Sequence, residues 1–228
     1  MGRSAVIALP AVPAAAPPPL VCIDPGHARR ADLSTEPIGP GSAVLKIKDG
    51  GGTFGEAVVT LQIARRTRAL LLEQGLRVAM TRTGPDFTRG RGGNADRARF
   101  CNRRDAALML RIHADGSTNP AHRGVSTLYP AFHKGWTDDV HAASKRAAGL
   151  LQRAVVAATG AADLGLVPRA DLTGFNWADV PVVLVETGFL TNAIEGRRLR
   201  SPGYQRRVAG GLVAGVIAFL RGRQWPPP

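Results

Sequence analysis

Aromatic side chains are scarce, at 5% of 228 residues. Sequence-tolerant binding of single-stranded nucleic acid rests on aromatic platforms that stack successive bases. The basic residues do not compensate, because they are scattered and nearly all Arg rather than gathered in a stripe. Nucleic acid is therefore not the expected partner. Acidic residues are also few, with 17 Asp+Glu against 30 Lys+Arg, which leaves a formal charge of +13 and a sequence pI near 11.3. A field of that sign favours a polyanion that needs no reading groove.

Cysteine is nearly absent. Cys22 and Cys101 cannot build a disulfide scaffold. Cys22 sits in the apolar run Leu20 to Ile23, and Cys101 follows Phe100 in a helical stretch. The expected state is two small buried hydrophobes, with a disulfide as the alternative and no chemistry on either thiol. No stretch approaches the roughly 18 uninterrupted apolar residues that a membrane-spanning helix requires.

With 44% hydrophobic and 21% charged residues, the chain has the make-up of an ordinary globular protein, and its length suits one sizeable domain. Residues 1–19 carry one Arg, a short apolar stretch and Ala14-Ala15-Ala16 before three prolines. They read as a signal-like segment with an A-x-A site, or as a disordered Ala/Pro tail. A single catalytic domain is expected over 20–222, followed by a Pro-rich tail at 223–228.

Leu20 to Ile23 reads as a buried strand ending at Asp24-Pro25-Gly26-His27, and the Gly-rich residues 28 to 55 as one long loop. Val59, Ile63 and Leu70 fall on one face of a helix from Glu56 to Gln74, with Gly75 as its stop. Further along, strands are expected at 76–81, 107–112, 124–129 and 182–185, and helices at 94–104, 138–159 and 204–220. Alternating strands and helices with continuous apolar strand sequences predict an α/β domain. Its sheet is expected to be mainly parallel and covered on both faces.

In such sheets, ligands bind beyond the carboxyl ends of the strands. Three strands end in reactive residues, at His27, His113 and Glu186. A lone His after a strand is usually structural, but two of them with a carboxylate at one sheet edge suggest a shared site. A catalytic zinc takes three ligands from His, Glu, Asp or Cys and leaves one position open. His27, His113 and Glu56 supply such a set, although Glu56 also suits the first turn of a helix on dipole grounds alone. Glu186 directly follows a buried strand, where desolvation raises a carboxyl pKa and suits it to act as a general base. A fourth metal ligand or a buried ion pair are its alternatives.

Taken in order, these residues resemble the zinc-dependent N-acetylmuramoyl-L-alanine amidases that hydrolyse bacterial peptidoglycan, the Amidase_3 type. The resemblance is carried by Ile23-Asp24-Pro25-Gly26-His27, by Gly55-Glu56 opening a long helix, and by Thr81-Arg82. It continues through Arg97 to Asn102, Leu110-Arg111-Ile112-His113-Ala114-Asp115, and Pro181 to Asn192 with Glu186-Thr187-Gly188 at its centre. It spans about residues 20 to 221 and implies one Zn2+ held by His27, Glu56 and His113, with Glu186 as the catalytic residue. It also implies a twisted, mostly parallel six-stranded sheet flanked by helices.

The same resemblance implies a monomer acting on peptidoglycan or muropeptides outside the cytoplasm, where the anionic wall suits the charge. A zinc peptidase or deacetylase acting on another wall bond is the alternative. Cys101 replaces a common Ala and Asp115 a common Asn. Some relatives carry an extra helix that blocks the metal until an activator moves it. Residues 114 to 181 are expected to hold one strand, one long sheet-covering helix and a loop, and so no plug. His122, His133 and His141 are expected in solvent, while Arg169 could meet a stem-peptide carboxylate or lie idle on the surface.

Overall fold

The structure is a computed structural model and describes residues 17–87 and 92–221. Most of the signal-like segment, including its A-x-A site, and the Pro-rich tail lie outside the described residues. In chain order the elements are β1 (Leu20–Pro25), β2 (Asp32–Pro37), β3 (Leu45–Asp49), α1 (Glu56–Glu73), β4 (Arg77–Met80), α2 (Asn94–Asn102) and β5 (Leu108–Asp115). They continue with β6 (Val125–Pro130), α3 (His141–Thr159), β7 (Asp163–Arg169), α4 (Thr173–Asn176), β8 (Val182–Phe189), α5 (Ala193–Arg200) and α6 (Pro202–Arg221).

Six strands form one sheet in the order β4-β1-β5-β8-β6-β7. The first four run parallel, β6 lies antiparallel to β8, and β7 is parallel to β6. Helices cover both faces, as the continuous apolar strands predict. Strand periodicity divides the side chains between the faces. Val21, Ile23, Leu108, Leu110, Ile112, Val183 and Val185 join α1, α3 and α6 in the larger core. Cys22, Met109 and Leu184 face the other way, against α2 and Phe175 of α4. Along β5 this second face runs Met109, Arg111, His113. It begins apolar and turns polar towards the carboxyl end, and that gradient creates the site.

The helices follow their sequence signals. Gly75, at φ 75°, closes α1 with a Schellman turn in which Leu76 N–H donates to Leu71 O and Gly75 N–H to Leu72 O. Helix α6 crosses α3 closely because Gly211 and Gly215 carry no side chain. A Cβ on Gly215 would stand 2.7 Å from Leu151 Cα. Buried Gln152 of α3 accepts from Thr127 Oγ1 and donates to Val125 O, tying the helix to β6. Helix α3 thus covers the sheet on the face opposite Arg111 and Glu186.

Several expectations need correction. Residues 28 to 55 are not one loop, since β2 and β3 form an antiparallel hairpin within them. Strand β7 escaped notice because Gly165 and Pro168 interrupt its apolar pattern. Pro is tolerated there because β7 is an edge strand. The short helices α4 and α5 were not expected, and β8 continues through Glu186 to Phe189 rather than stopping at Val185. Cys22 and Cys101 are buried, as expected, but they are joined in a disulfide. The preference for free thiols failed because β1 and α2 are distant in sequence, and only the folded chain brings them to a Cα separation of 5.6 Å.

The bond closes a loop with a sequence separation of 79 and pins α2 to the central sheet. Replacing both cysteines by Ala is expected to lower unfolding free energy by about 2–4 kcal/mol, read from denaturant melts under oxidising conditions. A reducing agent should shift the wild-type midpoint but leave the double variant unmoved.

Candidate metal centre

The sequence order of the candidate residues conceals their proximity. His27 lies in the loop after β1, Glu56 opens α1, and His113 and Glu186 occupy paired positions on adjacent β5 and β8. One ligand atom from each of His27, Glu56 and His113 falls within 4.8 Å of the others. Glu56 Oε1 is 3.0 Å from His113 Nδ1 and 3.7 Å from His27 Nε2. The two imidazoles stand edge to face, with ring centroids 5.0 Å apart.

The backbone is shaped around these rings. His27 takes a left-handed φ of 50°, which is costly for a residue with a Cβ and is maintained only where neighbours enforce it. Arg82 supplies that enforcement. Its buried guanidinium donates to Pro25 O, Gly26 O, Ala57 O and Gly84 O, stitching the β1 exit to the start of α1. Thr60 Oγ1 also donates to Gly26 O. Glycine is required on both sides of the cluster. A Cβ at Gly26 would meet the His113 ring at 2.6 Å, and one at Gly52 would lie 2.5 Å from Glu56 Oε2.

Asp49, at the end of β3, was not anticipated. Its Oδ1 lies 2.5 Å from His27 Nδ1, and its Oδ2 accepts from Ala28 N–H. Burial pushes its pKa up, but hydrogen bonds from His27 and the Gly51 and Ala28 amides outweigh burial and hold it at about 2. The carboxylate fixes the tautomer of His27, leaving Nε2 bare on the side of Glu56. Nothing in Asp49-Gly50-Gly51-Gly52 distinguishes it from a turn residue, so the signal was not available from sequence.

Burial lowers the His113 pKa despite its bond to Glu56, so its imidazole is neutral, as metal ligation requires. Burial opposes ionisation of Glu56, yet the two histidines hold its pKa below the ordinary carboxylate value. Glu186 lies on the same face. Burial first, then the charges of Glu56 and Asp115, raise its pKa well above the usual value, against Arg111 and Arg169. Its Oε2 and His113 Nε2 are buried and have no hydrogen-bond partner among the described residues. Two imidazoles, one carboxylate and orphaned polar atoms form a donor set that fits a divalent transition metal.

Behind the cluster, Asp24 is fully buried and gathers three donors. Arg111 Nε stands at 2.8 Å, Thr81 Oγ1 at 2.6 Å and Arg97 at 3.5 Å. Asn94 Oδ1 accepts from both guanidiniums, and Asn94 Nδ2 donates to Lys48 O, joining α2 to the hairpin. Glu36 of β2 accepts from the Asn94 and Ala95 amides at the start of α2, where the helix dipole favours an anion. Of the remaining candidates, His122 and His133 are exposed, whereas His141 is half-buried and bonded to Pro130 O. Arg169 borders the same cavity of about 270 Å³ as His27, His113 and Glu186.

A mostly parallel α/β domain that gathers two imidazoles and two carboxylates at the carboxyl edge of its sheet, three from strands or the loop after one and Glu56 from the start of α1, has the make-up of a metal-assisted hydrolase. The family model for N-acetylmuramoyl-L-alanine amidase, Amidase_3, matches residues 21–218. The chain belongs to this family of amide hydrolases. A solved N-acetylmuramyl-L-alanine amidase from Mycobacterium smegmatis is 30% identical and superposes with a TM-score of 0.80. The match covers 90% of this chain and 98% of that one. An amidase of Mycobacterium tuberculosis is 30% identical over 214 residues, covering 88% of this chain and 86% of its relative. An amidase of Bacillus subtilis is 28% identical over 201 residues, which are 88% of this chain but 35% of that protein.

Replacing Asp49 by Ala is expected to weaken divalent-metal binding at the cluster about 10–100-fold, measured by competition with a chelator. Asp24→Asn should cost on the order of 3–5 kcal/mol of stability, because it leaves two guanidiniums buried without their anion. Burial raises the Asp24 pKa, but Arg97 and Arg111 lower it further, to well below its ordinary 3.8. Its contribution is therefore complete above that value and fades as pH falls beneath it. Acid melts of wild type and Asp24→Asn should accordingly converge.

Proposed function

We propose that the protein is a zinc-dependent peptidoglycan hydrolase that cleaves the amide between the N-acetylmuramoyl lactyl group and the L-alanine of the stem peptide. The convergence of His27 Nε2, Glu56 Oε1 and His113 Nδ1, with Glu186 on the neighbouring strand, carries this reading. Family membership supplies the bond. The charge of +13 suits an anionic wall, and the signal-like segment and the disulfide are in keeping with an extracytoplasmic site of action.

His27, Glu56 and His113 would hold the ion. When bound, it supplies Lewis acidity that polarises the scissile carbonyl and acidifies the attacking water. Asp49 keeps His27 in the tautomer that presents Nε2. Glu186 acts as general base and then general acid. It takes the proton of the attacking water on a carboxylate oxygen and delivers it to the departing alanine nitrogen. Its desolvated surroundings and acidic neighbours raise its affinity for a proton, which suits a carboxyl group that carries one. The protein acts as a monomer, and α3 on the far face leaves no need for an activator to uncover the cluster.

Purified protein on isolated cell walls should release alanine amino groups without new reducing sugar ends. New reducing ends would indicate glycan cleavage, and freed acetate a deacetylase. Chelation should silence the enzyme and one equivalent of zinc should restore it. Glu186→Gln should retain the zinc but lower kcat by at least about 100-fold. Substantial residual turnover in that variant would remove Glu186 from the chemistry.

A further inference from the structure

The metal-assisted reaction leaves half of its cavity without a task. Five buried side-chain atoms among the described residues have no hydrogen-bond partner, and four of them belong to residues bordering this one cavity. Two of these residues, His113 and Glu186, belong to the candidate metal centre. The other two, Arg97 Nε and Thr173 Oγ1, do not contribute to metal binding or proton transfer, and both residues are 3% exposed. Orphaned buried polar atoms are costly in the empty protein, and a ligand that pairs with them relieves that cost.

Cations accompany these orphans. Lys46, Lys48, Arg97, Arg111 and Arg169 border the cavity. Asp24 lies between Arg97 and Arg111. Asp171 performs the same service at the rim, accepting from Arg169 Nε at 2.7 Å and Nη2 at 2.8 Å, and from Lys46 Nζ at 2.9 Å. This bidentate grip fixes the guanidinium plane and uses one edge only, so Arg169 Nη1 has no protein acceptor among the described residues. The Lys48 ammonium likewise makes no hydrogen bond to a described residue, and it interacts with the Asp32 carboxylate through charge alone. Asp24 and Asp171 thus each serve two cations, and the cavity is bordered by five cationic side chains against two acidic ones, Asp49 and Glu186, which lie with the candidate metal centre.

We infer that this donor-lined wall, formed by Lys48, Arg97, Arg169 and Thr173, is a subsite for a free carboxylate on the stem peptide within a residue or two of the scissile amide. The inference rests on the amidase reading above. A planar guanidinium fork held by one carboxylate and open on its other edge suits a second carboxylate, and a buried hydroxyl donor adds direction. A carboxamide in the same place lacks the charge and brings two N–H groups against a wall of donors. Acidic stem peptides are therefore preferred over amidated ones. Arg169 and Thr173 are specificity-determining residues, distinct from those that hold the metal.

The test uses two synthetic muramoyl peptides that differ only in a carboxylate or a carboxamide on the residue after L-alanine. The wild-type zinc enzyme should favour the acid about tenfold in kcat/KM, mostly through KM. Arg169→Gln and Thr173→Val should each compress that ratio, and Arg169→Lys should restore part of it. Equal cleavage of the two substrates by wild type, or a ratio unchanged by both substitutions, overturns the carboxylate subsite while leaving the amidase reading intact. Cleavage of neither substrate by zinc-loaded protein overturns both.

Discussion

One buried charge organises the polar face of the sheet. Asp24 lies at the carboxyl end of β1 with no exposure to solvent, and an ion so placed persists only when it is surrounded by partners. Those partners come from three other elements: Thr81 after β4, Arg97 on α2 and Arg111 on β5. Arg111 is two residues from His113, and Arg97 belongs to the helix that the hairpin grips through Glu36 and Asn94. Satisfying one carboxylate therefore sets the spacing of β1, β5 and α2. The loop that presents His27 leaves β1 from this anchored point, and Arg82 holds its strained backbone in place.

The ligand set was legible because each member sits at a place where sequence and fold are tightly coupled. A buried parallel strand shows as an apolar run, its end shows as the first polar residues, and such ends must meet on one side of the sheet. His27 follows from that rule, and His113 and Glu186 follow from the end of the apolar run although β5 and β8 continue past them to Asp115 and Phe189. Glu56 follows from the start of the strongest helix signal in the chain. The support around them was illegible for the opposite reason. Asp49 depends on a hairpin whose strands have exposed apolar residues such as Leu45 and Ile47 and lack a clean alternation. The Asp171 grip on Arg169 depends on β7, an edge strand broken by glycine and proline. The Cys22–Cys101 bond depends on long-range proximity that no local pattern encodes.

Charge is not evenly distributed. Around the candidate metal centre, acids gather: Glu56 and Asp115 raise the pKa of Glu186, and Asp49 is bonded to His27. Elsewhere on the lining of the same cavity, Lys46, Lys48, Arg97, Arg111 and Arg169 supply the positive charge. Under the proposed carboxylate subsite, this separation of charge would orient an anionic stem peptide, because reversing it would set like charges together.

The margins of the sheet carry a different consequence. At one end, β4 is only four residues long. At the other, β7 lacks an amide proton at Pro168 and bends through a left-handed Gly165. Neither edge presents an unbroken ladder to which a second molecule could add a strand. Copies of this chain brought close together would therefore find no ready edge on this sheet from which to extend a shared one.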